Sequence, residues 1–459
     1  MIINKYLSIF FVCVLFILLT MLNVNSILLY STIISLVTIW LVVSFIVFYK
    51  ANWVVVIYLG YQLFILSFPL VYIFFTYDDK NKLDYLSYRG ILEIDLVYSN
   101  LYILFFFCVV IFFISLFNRV KSIPLVKPLK YPRINNFYSV LCLLVISYSM
   151  KFYLISIGAW FMLDESNLSS NAFASTAKVL EQLDVLVLLF FLYLKINKGK
   201  ITKKELLLTI LVFIISFSFA VISTSKEKML IVAIPVVLIF FVERNWKTIF
   251  GFCLVGFLCL QILFEFTKYL RYADEVSTTT VVAFFDRDTS HQDTIFADDI
   301  VRRLDYQFVI SKVFNFYPDF PDTYKDNYLD NIYSLIPRLF WPGKPSIGID
   351  TNQLGRELGV ISSSDYRTSI GITPIGASYY DFGVIGIPLI AFLIALLLTL
   401  TSKMLVLNTW TSFVLKIMLS ILLARHGTYM YIVPLYIQTF IIFYIFSSLL
   451  QNERQRIEI

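Results

Sequence analysis

LYILFFFCVVIFFISLF, running from Leu101 to Phe117, decides the fold, because it carries no charged side chain and no polar stripe at either helical or strand spacing. A segment apolar on every side belongs in hydrocarbon. A layer about 30 Å thick takes roughly 20 such residues as one helix.

Working outward from this run, similar stretches recur at residues 7–22, 27–48, 54–77, 137–157, 179–193, 206–222, 229–242, 248–266, 380–400, 405–423 and 429–450. With residues 101–117 they predict an all-α polytopic membrane protein of about twelve spans. The span at 229 is short and the span at 405 contains Lys416, so either would be kinked, shifted or re-entrant. The run at 7–22 lacks a small-x-small cleavage site and reads as a retained first span.

Composition agrees. The chain of 459 residues is 59% hydrophobic and 15% charged, with a mean hydropathy of +0.81, a balance that a water-soluble fold could not bury. The net charge of +6 does not point to nucleic acid, since the basic residues gather in the turns between apolar runs. Cys13, Cys108, Cys142, Cys253 and Cys259 all lie inside apolar runs and read as small buried hydrophobes. No repeat, low-complexity tract or nucleotide fingerprint occurs: Gly343 and Lys344 are followed by Pro345, which breaks any phosphate-loop pattern.

Charge sets the expected topology. Arg119, Lys121, Lys127, Lys130 and Arg133 crowd one connection, and Lys195, Lys198, Lys200, Lys203 and Lys204 crowd another two spans later, so both should face the cytoplasm. An even span count puts Lys5 and the tail with Arg454 and Arg456 on the same side, and Lys50, Arg244 and Lys403 agree. Three regions follow: membrane helices in 1–266, a large extracytoplasmic loop in 267–379, and the last helices with a cytoplasmic tail in 380–459. A connection that long is expected to carry function.

The loop is acidic and aromatic, a mixture that suits sugar hydroxyls and sugar faces. Within it Phe296, Ile300, Leu304 and Phe308 recur every four residues and predict an amphipathic helix lying at the membrane surface. A second short helix is expected from Asp350, as cap, to about Gly359, with Arg356 and Glu357 on it.

An enzyme outside the cytoplasm meets neither ATP nor nucleotide sugars, so its donor must already be activated in the membrane, as polyprenyl-diphosphate-linked glycans are. Fixed cations would stabilise the departing diphosphate in place of a metal, and a carboxylate or imidazole would take the proton of the attacking hydroxyl. The cations on the expected outer side are Lys226, Lys228, Arg338, Lys344, Arg356, Arg367 and Arg425. Lys226, Lys228 and Lys268 also suit plain snorkelling to the interface. Arg425 stands out because Arg425, His426 and Gly427 interrupt apolar residues with only a minimal turn to solvate them. Asp350, Glu357, His291 and His426 are the candidate bases, although Asp350 reads more readily as a helix cap, Glu357 as a solvated face and His291 as an ordinary exposed site. Asp286 and Asp288 form only a weak D-x-D spacing, and neither a metal nor a cofactor is expected.

The segment Ile336-Pro337-Arg338-Leu339-Phe340-Trp341-Pro342-Gly343-Lys344-Pro345 resembles bacterial O-antigen and oligosaccharide repeat-unit polymerases of the Wzy type, which often show Pro-Arg, aromatic-Pro and Lys-Pro before the last group of spans. Gly376 to Gly386, with Tyr379, Tyr380, Asp381, Phe382 and Gly383, and the pair Arg425 and Gly427 are similar to further features of that family. The Arg-x10-Gly pattern of some members is absent. The resemblance implies a metal-independent, C-type glycosyltransferase of the bacterial inner membrane that moves a growing undecaprenyl-diphosphate-linked glycan onto a newly arrived lipid-linked repeat unit. It implies substrate contacts at Arg338 and Arg425; Trp341 and Lys344 belong to the same segment, and a chain-length regulator is a further expected partner. An O-antigen ligase would share fold and donor but use a lipid A core acceptor, and a lipid-linked oligosaccharide flippase would have a similar span count with shorter loops.

Overall fold

The structure is a computed structural model that describes residues 27–48, 53–77, 93–118, 137–157, 173–198, 202–223, 228–229, 231–233, 235, 306–316, 341, 351–363, 372–403, 410–425 and 429–449. Every described element is helical. In chain order these are α1 (Ile27–Phe48), α2 (Trp53–Thr76), α3 (Glu93–Phe117), α4 (Phe137–Ser156), α5 (Ala174–Leu180), α6 (Leu183–Lys198) and α7 (Lys203–Ile222). They continue with α8 (Tyr306–Phe316), α9 (Thr351–Glu357), α10 (Thr373–Phe382), a 3-10 turn (Gly383–Ile385), α11 (Gly386–Lys403), α12 (Trp410–Arg425) and α13 (Tyr429–Leu449).

Among the described residues six stretches are long and apolar enough to cross a membrane: Leu28–Val47, Val54–Thr76, Ile94–Phe117, Tyr138–Ser156, Lys203–Val221 and Thr373–Lys403. The chain is a helical membrane protein. Helices apolar all round can bury one face in protein and offer the other to lipid. On α3, Phe106, Phe107, Val110 and Ile114 are buried, whereas Phe105, Phe112 and Leu116 are exposed, as lipid contact requires. The lipid-facing stripe of α7 is Leu207, Ile210 and Ile214. That helix starts at a capping box, in which the Thr202 hydroxyl accepts the Glu205 amide at 3.2 Å and the Glu205 carboxylate accepts the Thr202 amide at 2.8 Å.

Two cores organise the bundle. The first gathers α1, α2, α3, α8, α10 and α11 around Tyr58, Phe106, Phe107, Ile310, Ala391 and Ile394. The second gathers α4, α6, α7, α12 and α13. Every residue from Leu183 to Leu194 of α6 is buried, so α6 is wrapped by protein on all sides and forms the axis of that second core.

The sequence expectation for α1 coincides with its limits, and α2, α4 and α13 agree within a residue or so. Two more differ only in where they start, α3 at Glu93 and not 101 and α7 at Lys203 and not 206, and three differ in more than their limits. The span expected over 179–193 is two helices, α5 and α6, parted at Glu181 and Gln182. The span expected from Tyr380 begins at Thr373 and jogs at Gly383, whose φ of 59° and ψ of −148° only glycine adopts readily. A Cβ on Gly386 would lie 2.0 Å from the Ser378 carbonyl oxygen, so α10 and α11 pack backbone to backbone at the jog.

The third lies in the long loop. Residues 296–305 of the amphipathic helix expected around Phe296, Ile300, Leu304 and Phe308 lie outside the described residues; α8, which begins at Tyr306, is an interior element, with Gln307, Phe308, Val309, Ile310, Ser311, Val313 and Phe314 all buried. It packs against α2, α3 and α10. Polar residues on both helices make this possible. Ser311 Oγ donates to Ser99 Oγ at 2.8 Å, Gln307 Nε2 donates to Asn100 Oδ1, and Asn315 Nδ2 donates to Asp95 Oδ2 at 2.8 Å. Asn100 in turn bonds Ser31 and Ser35 of α1, at 2.7 and 2.8 Å. Below them the rings of Tyr102, Phe314 and Tyr379 meet, with Phe314 and Tyr379 edge to face at 4.0 Å between centroids.

Candidate functional site

Apolar helices have little reason to hold charge, so buried charge locates the site. Lys151 on α4 forms an ion pair with Asp184, the second residue of α6, and their side chains are 6% and 1% exposed. Lys228 pairs with Glu181, whose side chain is 5% exposed, at 3.0 Å to Oε1 and 3.2 Å to Oε2. Both carboxylates sit at the α5–α6 break, three residues apart, and each receives its cation from a different part of the bundle.

The break is built to stand in an apolar setting, where loose backbone groups are costly. Ser147 Oγ of α4 donates to the Glu181 carbonyl and accepts the Asp184 amide. The Glu181 amide donates to the Ala177 carbonyl at 2.8 Å and the Val185 amide to the Gln182 carbonyl at 3.1 Å. The Lys151 ammonium also lies 5.5 Å from the Tyr148 ring centroid and 5.7 Å from that of Phe219. Tyr148 Oη lies 3.2 Å from Ser216 Oγ of α7. The two pairs border a cavity of about 30 Å³ that also touches Gln182, Ser216 and Ile231, enough for a water molecule or two. The arrangement is neutral overall and ties α4, the α5–α6 break and the segment at 228–235 together.

Of the residues singled out in the sequence, α9 carries Arg356 and Glu357 as expected. Its Leu354 and the following Leu358 are buried in the first core, and Gly359, with φ of 65°, comes just past its end. Glu357 is exposed and accepts Gln353 Nε2 at 2.8 Å, whereas Arg356 and Trp341 are partly buried. Arg425 is the last residue of α12. Arg338, Lys344, Asp350, Arg367, Lys226 and His426 lie outside the described residues. Lys228 is an ion-pair partner and not merely a chain reaching for the interface.

Lys151, Glu181 and Asp184 did not stand out in the sequence. The available signal was opposite charge inside neighbouring apolar runs, since Lys151 lies within residues 137–157 and both carboxylates within 179–193. Among the described residues no three His, Cys, Asp or Glu side chains gather as a metal site.

Fold and site together define a helical membrane protein with a charged break in one of its central helices. Residues 134–454 match the family described as Domain of unknown function (DUF8712), and the chain belongs to that family. Both ion pairs lie inside the matched region, whereas α1, α2 and α3 precede it. No curated protein and no solved structure matches the chain.

Proposed function

We propose that the protein polymerises lipid-diphosphate-linked oligosaccharide repeat units on the outer face of the bacterial inner membrane, with about twelve spans, both ends in the cytoplasm and residues 267–379 outside. The reading is carried by one observation, the likeness of Ile336 to Pro345 to the Wzy-type motif in a chain with a matching hydropathy layout. The glycan leaves its diphosphate for a sugar hydroxyl of the next lipid-linked unit: the glycosidic bond forms as the bond to the diphosphate breaks. Arg338 and Arg425 take the diphosphate charge, assisted by Lys226, Lys344, Arg356 and Arg367; Trp341 stacks on sugar. Glu357, Asp350 or His426 accepts the hydroxyl proton.

The end of α12 supports the part given to Arg425. The Ala424 carbonyl accepts Gln62 Nε2 at 3.1 Å, and Gln62 lies nine residues into α2, about 13 Å along its axis. A helix that stops beside the middle of a spanning neighbour ends within the apolar layer, and a charged residue at such depth in a sequence is a functional candidate. Purified protein incubated with a synthetic lipid-diphosphate repeat unit should yield a ladder of products on a gel.

A flippase for the same lipid-linked glycan is the second reading, favoured by the charged break between α5 and α6, a feature of transporters. A glycan that crosses vesicle membranes without lengthening would support it. An O-antigen ligase is separated by acceptor, since its loss removes all attachment whereas loss of a polymerase leaves a single unit attached.

A further inference from the structure

We infer that Gln307 of α8 is a sugar contact: its side-chain carbonyl oxygen accepts a hydroxyl of the lipid-linked glycan whose diphosphate lies at Arg425. This deepens the proposed function and rests on it for the identity of the ligand.

The orientation of the Gln307 amide is forced by its neighbours. Asn100 Nδ2 donates one proton to the Leu96 carbonyl at 2.8 Å and the other to Ser31 Oγ at 2.7 Å. A carbonyl only accepts, so the bond to Leu96 fixes which end of the Asn100 amide is nitrogen. The Asn100 oxygen is what remains for α8, and it also accepts Ser35 Oγ at 2.8 Å. Gln307 must therefore turn Nε2 toward Asn100, which turns Oε1 the other way. Gln307 is fully buried, and its Oε1 has no hydrogen-bond partner among the described residues. A buried carbonyl oxygen without a donor costs free energy, and a membrane bundle has no bulk water to supply one. A fixed, unfilled acceptor is what a hydroxyl-bearing ligand requires. It repels a phosphate oxygen, which is itself an acceptor, so Gln307 reads sugar and not diphosphate.

The surroundings match such a ligand. One stripe of α2, made by Gln62, Leu66, Leu70 and Ile73, meets two elements in turn. Gln62 holds the end of α12 through the Ala424 carbonyl at 3.1 Å, and Leu70 and Ile73 share a cluster with Phe308, the residue after Gln307. From Gln62 to Leu70 is about 12 Å along the helix, the extent of a diphosphate and its first sugars. The rings of Tyr102, Phe314 and Tyr379 meet beside α8. Aromatic rings with a few placed polar groups are the usual lining of a small-molecule site. Because Gln307 is buried, the glycan is admitted as α8 shifts and not through a standing opening.

The test reads binding and not turnover. Full-length protein in detergent is titrated with two lipids: the lipid-linked oligosaccharide extracted from cells that make this protein, and undecaprenyl diphosphate without sugar. The parent should prefer the oligosaccharide-bearing lipid. Gln307→Leu should bind that lipid roughly tenfold more weakly, the loss of one hydrogen bond, with its affinity for the bare lipid unchanged, which also shows that the variant is folded. Ser311→Ala, which removes a neighbouring bond between α8 and α3, should keep the parent's preference. Equal affinity of Gln307→Leu and parent for the oligosaccharide-bearing lipid overturns the inference, as does a loss in Ser311→Ala as large as that in Gln307→Leu, since a loosened α8 then accounts for both. A parent that binds neither lipid overturns the transferase reading itself, whereas a parent that binds the bare lipid but shows no preference for sugar overturns this contact alone.

Discussion

Gln62 of α2 donates its side-chain amide to the main-chain carbonyl of Ala424, 362 residues away, at 3.1 Å. Both residues are buried, and Ala424 immediately precedes Arg425 at the end of α12. The carbonyls of a helix's last turn have no partner within the helix, so an end inside a bundle needs a donor from elsewhere. Gln62 supplies it and fixes where α12 stops.

Gln62→Leu keeps the volume and removes the donor, leaving a buried carbonyl unpaired at a cost of about 1–3 kcal/mol. The protein should remain monodisperse but lose several degrees of heat tolerance, read by size-exclusion fluorescence after heating. Activity should fall more than that loss explains, because the end of α12 holds Arg425. Unchanged heat tolerance and activity would show that water replaces the glutamine.

Lys151→Met and Asp184→Leu should each lower heat tolerance strongly, by an amount corresponding to about 3–5 kcal/mol, because each leaves one buried charge without its partner. The double variant should recover most of the loss. Equal losses in single and double variants would mean that the two charges are solvated separately.

Gly386→Ala should abolish folded protein, since the new methyl would lie 2.0 Å from the Ser378 carbonyl oxygen, a backbone atom of the packed α10. Gly60→Ala, at a helical position where a Cβ meets nothing within 4 Å, is the matched control and should express normally. Comparable yields of the two variants would argue against the close packing of α10 on α11.

Replacing Asn100 by leucine removes the residue that joins α1, α3 and α8 through Ser31, Ser35 and Gln307. Residues 306–316 should then exchange backbone hydrogen at least tenfold faster, while α3 itself stays protected. Equal exchange in variant and parent would mean that the apolar contacts of Phe308 and Phe314 suffice to hold α8.

The membrane class and the limits of α1, α2, α4 and α13 were legible because hydrocarbon imposes a requirement on every residue of a span; α1 needed nothing beyond its apolar run. What a run touches is a different matter. The α5–α6 break lies in a stretch that averages as apolar, and among the described residues its partners Ser147, Lys151 and Lys228 come from elsewhere in the chain. Of the four residues whose spacing predicted a helix, Phe308 is described, and it lies in α8. Spacing alone does not distinguish a lipid surface from Ser99 and Asn100 of α3, whose polar side chains draw α8 inward. Arg356 and Glu357 were placed correctly on α9 because a cap and a following glycine are local signals.

Purified protein given a synthetic lipid-diphosphate repeat unit, with no metal and no nucleotide, tests the proposed function most directly. A product ladder that disappears in Arg425→Ala, with the variant still monodisperse, is the expected result. No ladder from the parent in any lipid or metal condition would contradict it.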